Sequence, residues 1–151
     1  PNQYKIHQMK PSTNTIHTAT FEDRATVTAL WKACDLTRPW NDASADFNLA
    51  VTGKTSDILI LTQENDPIAT IMVGFDGHRG WVYYLGVSPE HRRAGLGRVI
   101  MEAAENWLRN RGAPKIQLMV RDDNQAAIGF YEALGYAVQP VVTIGHRLDQ
   151  D

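Results

Sequence analysis

A strand, a basic loop and the start of a helix follow one another in Leu85-Gly86-Val87-Ser88-Pro89-Glu90-His91-Arg92-Arg93-Ala94-Gly95-Leu96-Gly97-Arg98. An apolar strand is predicted to end at Val87, and the loop behind it leads into a long helix. The glycines at 95 and 97 have no side chain that would block a closely approaching ligand. The helix start adds unpaired N–H groups and the positive end of its dipole. With the three arginines of this stretch, the pattern predicts a cradle for a pyrophosphate.

Two other phosphate-binding loops are excluded by single positions. A P-loop would place lysine after its last glycine, whereas Gly97 is followed by Arg98. A dinucleotide-binding loop, G-x-G-x-x-G, would need a third glycine where the chain has Ile100. The pattern that remains is R-x-x-G-x-G, matched by Arg92, Gly95 and Gly97. So short a motif also occurs by chance in surface loops, and a second signal is needed.

The second signal is Asn124-Gln125-Ala126-Ala127-Ile128-Gly129-Phe130-Tyr131-Glu132-Ala133-Leu134-Gly135-Tyr136. On a helix, Asn124, Ala127 and Tyr131 would share one face through their i, i+3, i+7 spacing. Asn124 would stand at the helix N-terminus, where it can cap the helix or reach a ligand. Phe130 is predicted to be a core residue, whereas a buried Tyr131 needs a partner for its hydroxyl group.

The two motifs resemble the two signatures of the GNAT superfamily of N-acetyltransferases, R-x-x-G-x-G and N-x-x-A-x-x-F-Y-E-x-x-G-[FY]. The resemblance covers residues 15–148, which we take as one domain behind a flexible leader at 1–14. More narrowly, RPWND at 38–42 and GFDGHRG at 74–80, followed by YYLGV, are similar to the bacterial YpeA group. The implied fold class is α/β: a single-domain GNAT (acyl-CoA N-acyltransferase) fold with a mixed, mostly antiparallel sheet, splayed central strands and about four helices.

Hydrophobic periodicity and turn residues predict the element order βα(α)βββαβαββ. The first predicted helix begins at 21–23. The other predicted helices cover 45–52, 95–111 and 124–134. The predicted strands lie at 15–20, 57–62, 68–75, 81–87 and 115–121, with two closing strands within 136–148. The strands at 57–62, 68–75 and 81–87 are expected to form an antiparallel meander.

Composition limits the classes of partner. The 151 residues carry a formal net charge of −2, which argues against duplex nucleic acid because phosphate neutralisation needs a basic face. Cys34 is the only cysteine, so the chain has no internal disulfide and no zinc-binding spacing. No signal peptide is recognised at the start, and the apolar runs fall far short of the ~20 residues of a membrane span. We expect a cytoplasmic protein without membrane or nucleic-acid partners.

The resemblance implies a co-substrate, acetyl-CoA, and a reaction without metal in which an amine attacks the thioester directly. The amine acceptor would be a small molecule or a protein amino group. Asn124 would contact the pantetheine arm, and Tyr131 would be the general acid that protonates the departing thiolate. The other cofactor-binding positions that the resemblance implies are Leu85, Val87, Arg92, Arg93, Ala94, Gly95, Leu96, Gly97 and Arg98.

The general base is where the sequence departs from better-known members of the family. Some of them carry a glutamate midway along the third meander strand, and the position that aligns with it is Trp81, which cannot take a proton. The candidates nearby are Asp76 and His78 in the hairpin, Tyr84 on the strand and Glu90 in the loop. The alternative for residues 76–79 is an ordinary turn without a catalytic role, because Asp and Gly favour turns. Deprotonation through water, or an amine that arrives neutral, stays open.

Residues 35–42 form a loop that borders the acceptor cleft in GNAT folds, so Arg38, Trp40 and Asn41 are candidate substrate-binding residues. The competing interpretation is a surface loop in which Trp40 anchors to the core.

Two other functions compete with that of an N-acetyltransferase. A non-catalytic acyl-CoA-binding module would need no general base, which would explain Trp81 at the usual position of the base. A homodimeric interaction domain would pair an edge of its sheet with another chain.

Overall fold

The structure, a computed structural model, describes residues 13–149. The helices in this part of the chain are α1 (Arg24–Ala33), α2 (Ala43–Thr52), α3 (Leu96–Arg109) and α4 (Gln125–Ala133). The strands are β1 (Asn14–Thr18), β2 (Ser56–Gln63), β3 (Asp66–Phe75), β4 (Gly80–Val87) and β5 (Ile116–Leu118). Single 3₁₀ turns cover Phe21–Asp23 and Pro89–His91.

The chain divides into two compact units, residues up to Leu118 and residues from Met119 onwards. The sheet and helices α1 to α3 belong to the first unit. Helix α4 and the residues behind it belong to the second unit. The pyrophosphate motif therefore lies in the first unit, whereas Asn124 and Tyr131 lie in the second.

The five strands of the first unit form one sheet in the order β1-β2-β3-β4-β5. The first four are antiparallel neighbours, and β5 is parallel to β4. The ladder between β4 and β5 covers only Gly80–Val82, so the rest of β4 has no described strand beside it on that edge. The ladder ends there because β5 itself ends at Leu118.

Helices cover both faces of the sheet. Trp31 of α1 and Phe47 of α2 pack with Ile58 and Ile60 of β2 in one apolar cluster. Because successive strand residues point to opposite faces, Leu59 and Leu61 point the other way, where α3 packs. The buried residues of α3 are Leu96, Ile100, Met101, Ala104, Trp107 and Leu108.

Replacing Gly80 with alanine is expected to destabilise the protein by ~1–3 kcal/mol, because a side chain there overpacks the core. A Cβ atom on Gly80 would lie 2.5 Å from Cδ1 of Leu108, which is itself buried. Denaturant unfolding measures the change in the free energy of unfolding. Gly129→Ala is the control: it is a glycine inside α4 with no atom near a new Cβ, and it should gain up to ~1 kcal/mol. An unchanged unfolding free energy in Gly80→Ala would contradict the packing described.

Most elements lie where the sequence predicts them, and three predictions need comment. The strand predicted at 115–121 is confined to Ile116–Leu118. The two closing strands predicted within 136–148 are wrong, since the structure has no strand in that range. Pro140 there lacks an N–H, and apolar residues form a strand only when a neighbouring strand pairs with them. Of the predicted leader 1–14, residues 1–12 lie outside the described part, and Asn14 belongs to β1.

Candidate active site

The loop between β4 and α3 has the backbone shape of an anion cradle. Arg93 (φ +67°) and Gly95 (φ +76°) both adopt the left-handed conformation. The Val99 N–H donates to the Gly95 carbonyl at 3.3 Å, which makes this the first bond of α3. The N–H groups of Leu96, Gly97 and Arg98 precede that bond and have no partner within the helix.

The cradle residues fit a pyrophosphate. A Cβ placed on Gly95 would meet no described atom within 4 Å, so the space in front of the loop is open. Arg92, Arg93 and Arg98 are exposed, and Nε of Arg92 donates to the Val87 carbonyl at 3.4 Å. Unpaired N–H groups at a helix start attract anions, and guanidinium groups match phosphate oxygens in geometry and charge.

A β-bulge interrupts β4 just before the cradle. Thr70 of β3 pairs with Gly86, whereas Met72 pairs with Tyr83, so β4 has one residue more than β3 between these pairs. Tyr84 lies in the bulge with a φ of +53°. A bulge re-aims side chains relative to regular alternation. As a result Tyr83 and Tyr84 both line the same cavity, described below.

Tyr84 joins the bulge to α1 and α2. Its ring stacks on Trp31 with centroids 3.9 Å apart and planes 10° apart. Its hydroxyl group donates to Oδ2 of Asp46 at 2.6 Å. Burial, and then the neighbouring Asp46 carboxylate, raise the pKa of Tyr84. The phenol therefore keeps its proton and acts as the donor, and the carboxylate is the acceptor.

A cavity of about 550 Å³ opens on this face of the first unit. The residues that line it are Leu36, Asn41, Asp46, Leu49, Ala50, Ser56, Met72, Tyr83 and Tyr84. Asp46 is the one carboxylate in that lining. The sequence offered little reason to single out Asp46, because it reads as an ordinary acidic residue in the first turn of a helix.

The hairpin between β3 and β4 is held by Asp76. Oδ1 of Asp76 accepts from the backbone N–H groups of His78 (2.8 Å) and Arg79 (2.7 Å), and Oδ2 accepts from Nε1 of Trp81 (3.2 Å). The Arg79 bond and then the His78 bond lower the pKa of Asp76. These contacts are those of an ordinary turn, the alternative to a catalytic role for residues 76–79. The role of Asp76 or His78 as the base stays a prediction.

In the loop at 35–42 the three candidate substrate residues have different surroundings. Arg38 turns back on the loop, where Nη1 donates to the carbonyls of Asp35 and Thr37 at 2.8 Å each. Asn41 lines the cavity. Trp40 is 53% exposed, so it does not anchor the loop to the core. The structure thus brings Asn41, but not Arg38 or Trp40, into the cavity lining.

In the second unit, Asn124 and Tyr131 mark the two ends of α4. Oδ1 of Asn124 accepts from the Ala127 N–H at 3.1 Å and caps the helix, as one interpretation of the sequence predicts. The ring of Tyr131 meets Phe130 edge-on at 5.0 Å and lies 5.9 Å from Tyr136. Burial raises the pKa of Tyr131 to about 12, so the phenol carries a proton at neutral pH. A general acid must hold its proton in this way.

Comparison with known proteins identifies the family. Residues 16–136 match the sequence model of the Acetyltransferase (GNAT) family, and the chain belongs to this family. Its fold is the GNAT fold, as the sequence predicts.

Three solved structures illustrate the likeness. Aminoglycoside N-acetyltransferase AAC(6')-Iy in complex with CoA has a TM-score of 0.79 at 15% identity, over 93% of this chain and 98% of that chain. The ribosomal-protein-S18-alanine N-acetyltransferase from Escherichia coli has a TM-score of 0.71 at 28% identity, over 82% of this chain and 77% of that chain. A predicted acetyltransferase with acetyl-CoA from Clostridium acetobutylicum has a TM-score of 0.74 at 16% identity, over 91% of this chain and 99% of that chain.

Among residues 13–149, His, Cys, Asp and Glu side chains form no group of three or more that could hold a metal ion. The helices of the same range are all too short or too polar to cross a membrane.

Proposed function

We propose that this acetyltransferase-family protein transfers an acetyl group from acetyl-CoA to a primary amine, which attacks the thioester directly. The observation that carries the proposal is the open cradle at Arg92–Arg98, which follows the part of β4 that lies beyond its ladder with β5. The amides and arginines of the cradle would hold the pyrophosphate. The backbone of Leu85 and Val87, beyond the last pair of the β4–β5 ladder, would lie along the pantetheine.

Catalysis in this proposal needs alignment of the amine and handling of two protons. The acceptor must be neutral when it attacks, and the thiolate leaves more readily when an acid protonates it. Tyr131 is the proposed acid, supported by the family motif. Asn124 is proposed to contact the pantetheine arm through its side-chain NH2 group, because the helix cap uses only Oδ1. A non-catalytic binding module would have less need of a phenol at the leaving group.

The direct test is release of free thiol from acetyl-CoA in the presence of a panel of primary amines. We expect amine-dependent release with at least one acceptor, together with its acetylated product by mass spectrometry. Acetyl-CoA binding by calorimetry without turnover of any amine would favour the non-catalytic module instead.

Trp40→Ala is expected to change acceptor preference and to leave acetyl-CoA affinity unchanged. The physical reason is that Trp40 is an exposed aromatic residue directly before Asn41, which lines the cavity. Ratios of kcat/KM across the amine panel should shift by at least about threefold, or ~0.7 kcal/mol. Phe21→Ala, another exposed aromatic residue, is the control. If Trp40→Ala weakened acetyl-CoA binding and left acceptor preference unaltered, the loop at 35–42 would border the cofactor rather than the acceptor.

Several finer expectations stay predictions. They are membership of the YpeA group, one domain spanning 15–148, a cytoplasmic location, a possible homodimer and an acceptor that is either a small molecule or a protein amino group.

A further inference from the structure

The cavity between α2 and the β4 bulge combines an apolar wall with a single negative charge. Leu36, Leu49 and Met72 supply aliphatic surface, and Tyr83 and Tyr84 supply rings. Asp46 is half-buried there, and no described Lys, Arg or His forms an ion pair with it. A half-buried carboxylate without a counter-ion is a ready partner for a cation, because charge-assisted hydrogen bonds are the stronger ones.

One oxygen of this carboxylate is still available to a ligand. Tyr84 donates to Oδ2, and no described group donates to Oδ1. The Ser56 hydroxyl, also in the lining, already donates to the Ala50 carbonyl at 2.9 Å. Because a carboxylate oxygen accepts only from a donor, the matching ligand group is an N–H or O–H, and the charge favours an ammonium.

We infer that the acceptor is a small amine with one positive charge and an apolar body, whose ammonium group binds Asp46. This inference rests on the proposed function and names its substrate class. A cavity of about 550 Å³ has the size of a small-molecule site. The lining contains one carboxylate, which matches an acceptor with one positive charge.

The place of this cavity along the chain suits an acceptor site. Tyr84 directly precedes Leu85, whose backbone is proposed to lie along the pantetheine, and neighbouring Cα atoms are only about 3.8 Å apart. The bulge therefore places the amine-binding pair next to the strand residue that would run beside the cofactor. In this inference Asp46 binds and orients the acceptor as an ammonium, which must pass one proton to solvent before the neutral amine attacks, and Tyr84 is a positioning residue that holds the carboxylate.

The test compares an amine with its neutral analogue. Calorimetry measures the binding of 2-phenylethylamine, 2-phenylethanol and spermidine to the full chain and to Asp46→Asn. We expect the wild type to prefer 2-phenylethylamine over both other compounds. Asp46→Asn should weaken amine binding at least tenfold and leave the alcohol unaffected. Asparagine keeps an oxygen that can accept from Tyr84, so the variant should fold, and its Tm checks this.

Two matched variants separate charge from structure. Glu102→Gln removes one exposed carboxylate from α3 and should leave amine binding unchanged. Tyr84→Phe keeps the ring on Trp31 and should weaken amine binding by a smaller factor than Asp46→Asn. Equal loss of amine and alcohol binding in Asp46→Asn would reduce Asp46 to a structural role and overturn the inference, as would tighter binding of spermidine.

Turnover distinguishes this inference from the proposed function. If an amine is acetylated, Asp46→Asn should raise its KM at least tenfold and leave the KM for acetyl-CoA unchanged. An unchanged amine KM would overturn the inference alone. Asp46-dependent amine binding without acetylation of any amine would contradict the proposed function and support the cation site.

Discussion

Gly95→Asp is expected to weaken acetyl-CoA binding well over tenfold, which corresponds to more than ~1.4 kcal/mol. The new carboxylate would stand at the start of α3, in the space where the cradle is proposed to hold the pyrophosphate. A side chain at Gly95 meets no described atom within 4 Å, so the variant should not clash with its own chain. The left-handed backbone at this residue is also tolerated by aspartate better than by most residues. Calorimetry with acetyl-CoA measures the loss.

Gly95→Asn is the matched control, since asparagine has nearly the same shape and the same tolerance for a left-handed backbone but no charge. It should lose clearly less affinity than Gly95→Asp. If the folded aspartate variant bound acetyl-CoA as the wild type does, the cradle would not be the pyrophosphate site. An equal loss of acetyl-CoA affinity in both variants would show that the new side chain weakens binding by its size rather than by its charge.

Tyr131→Phe should lower kcat by at least ~10-fold, with little change in acetyl-CoA affinity. A positioned acid contributes about 10²–10⁴ to the rate of proton transfer, and phenylalanine keeps the ring while removing the proton. Loss of kcat without loss of binding is the signature of an interaction made in the transition state. The measurement needs the amine from the panel that gives the highest turnover, under conditions where chemistry limits the rate.

The control for this variant is Tyr136→Phe, the same change on the neighbouring ring, which should keep a nearly normal kcat. Because burial raises the pKa of Tyr131 to about 12, its proton stays in place as the pH rises to 10. Any alkaline fall in wild-type activity below that pH should therefore come from another group. A wild-type rate in Tyr131→Phe would make Tyr131 a packing residue.

Local sequence patterns predicted much of the fold and the cradle. The end of β4 at Val87 and the start of α3 at Leu96 follow from an apolar run, a loop with arginines and a glycine at the helix start. The cap at Asn124 follows from its place before a helical segment. Each of these features depends on residues close together in the chain, where backbone preference and hydrophobic period act directly. The same local reasoning was wrong for the closing strands, because a strand needs a partner that sequence does not supply.

The cavity at the β4 bulge depends on contacts that no local pattern contains. Asp46 and Tyr84 are 38 residues apart in sequence, and they meet only because a bulge in β4 turns Tyr84 toward α1 and α2. Regular alternation would have placed Tyr84 with Gly80, which faces Leu108 of α3. The sequence by itself therefore determined the class of protein and the loop proposed to bind the cofactor, since both are written in short contiguous motifs. Only the tertiary structure decided which carboxylate lies in the cavity, because it packs α2 beside the bulge of β4.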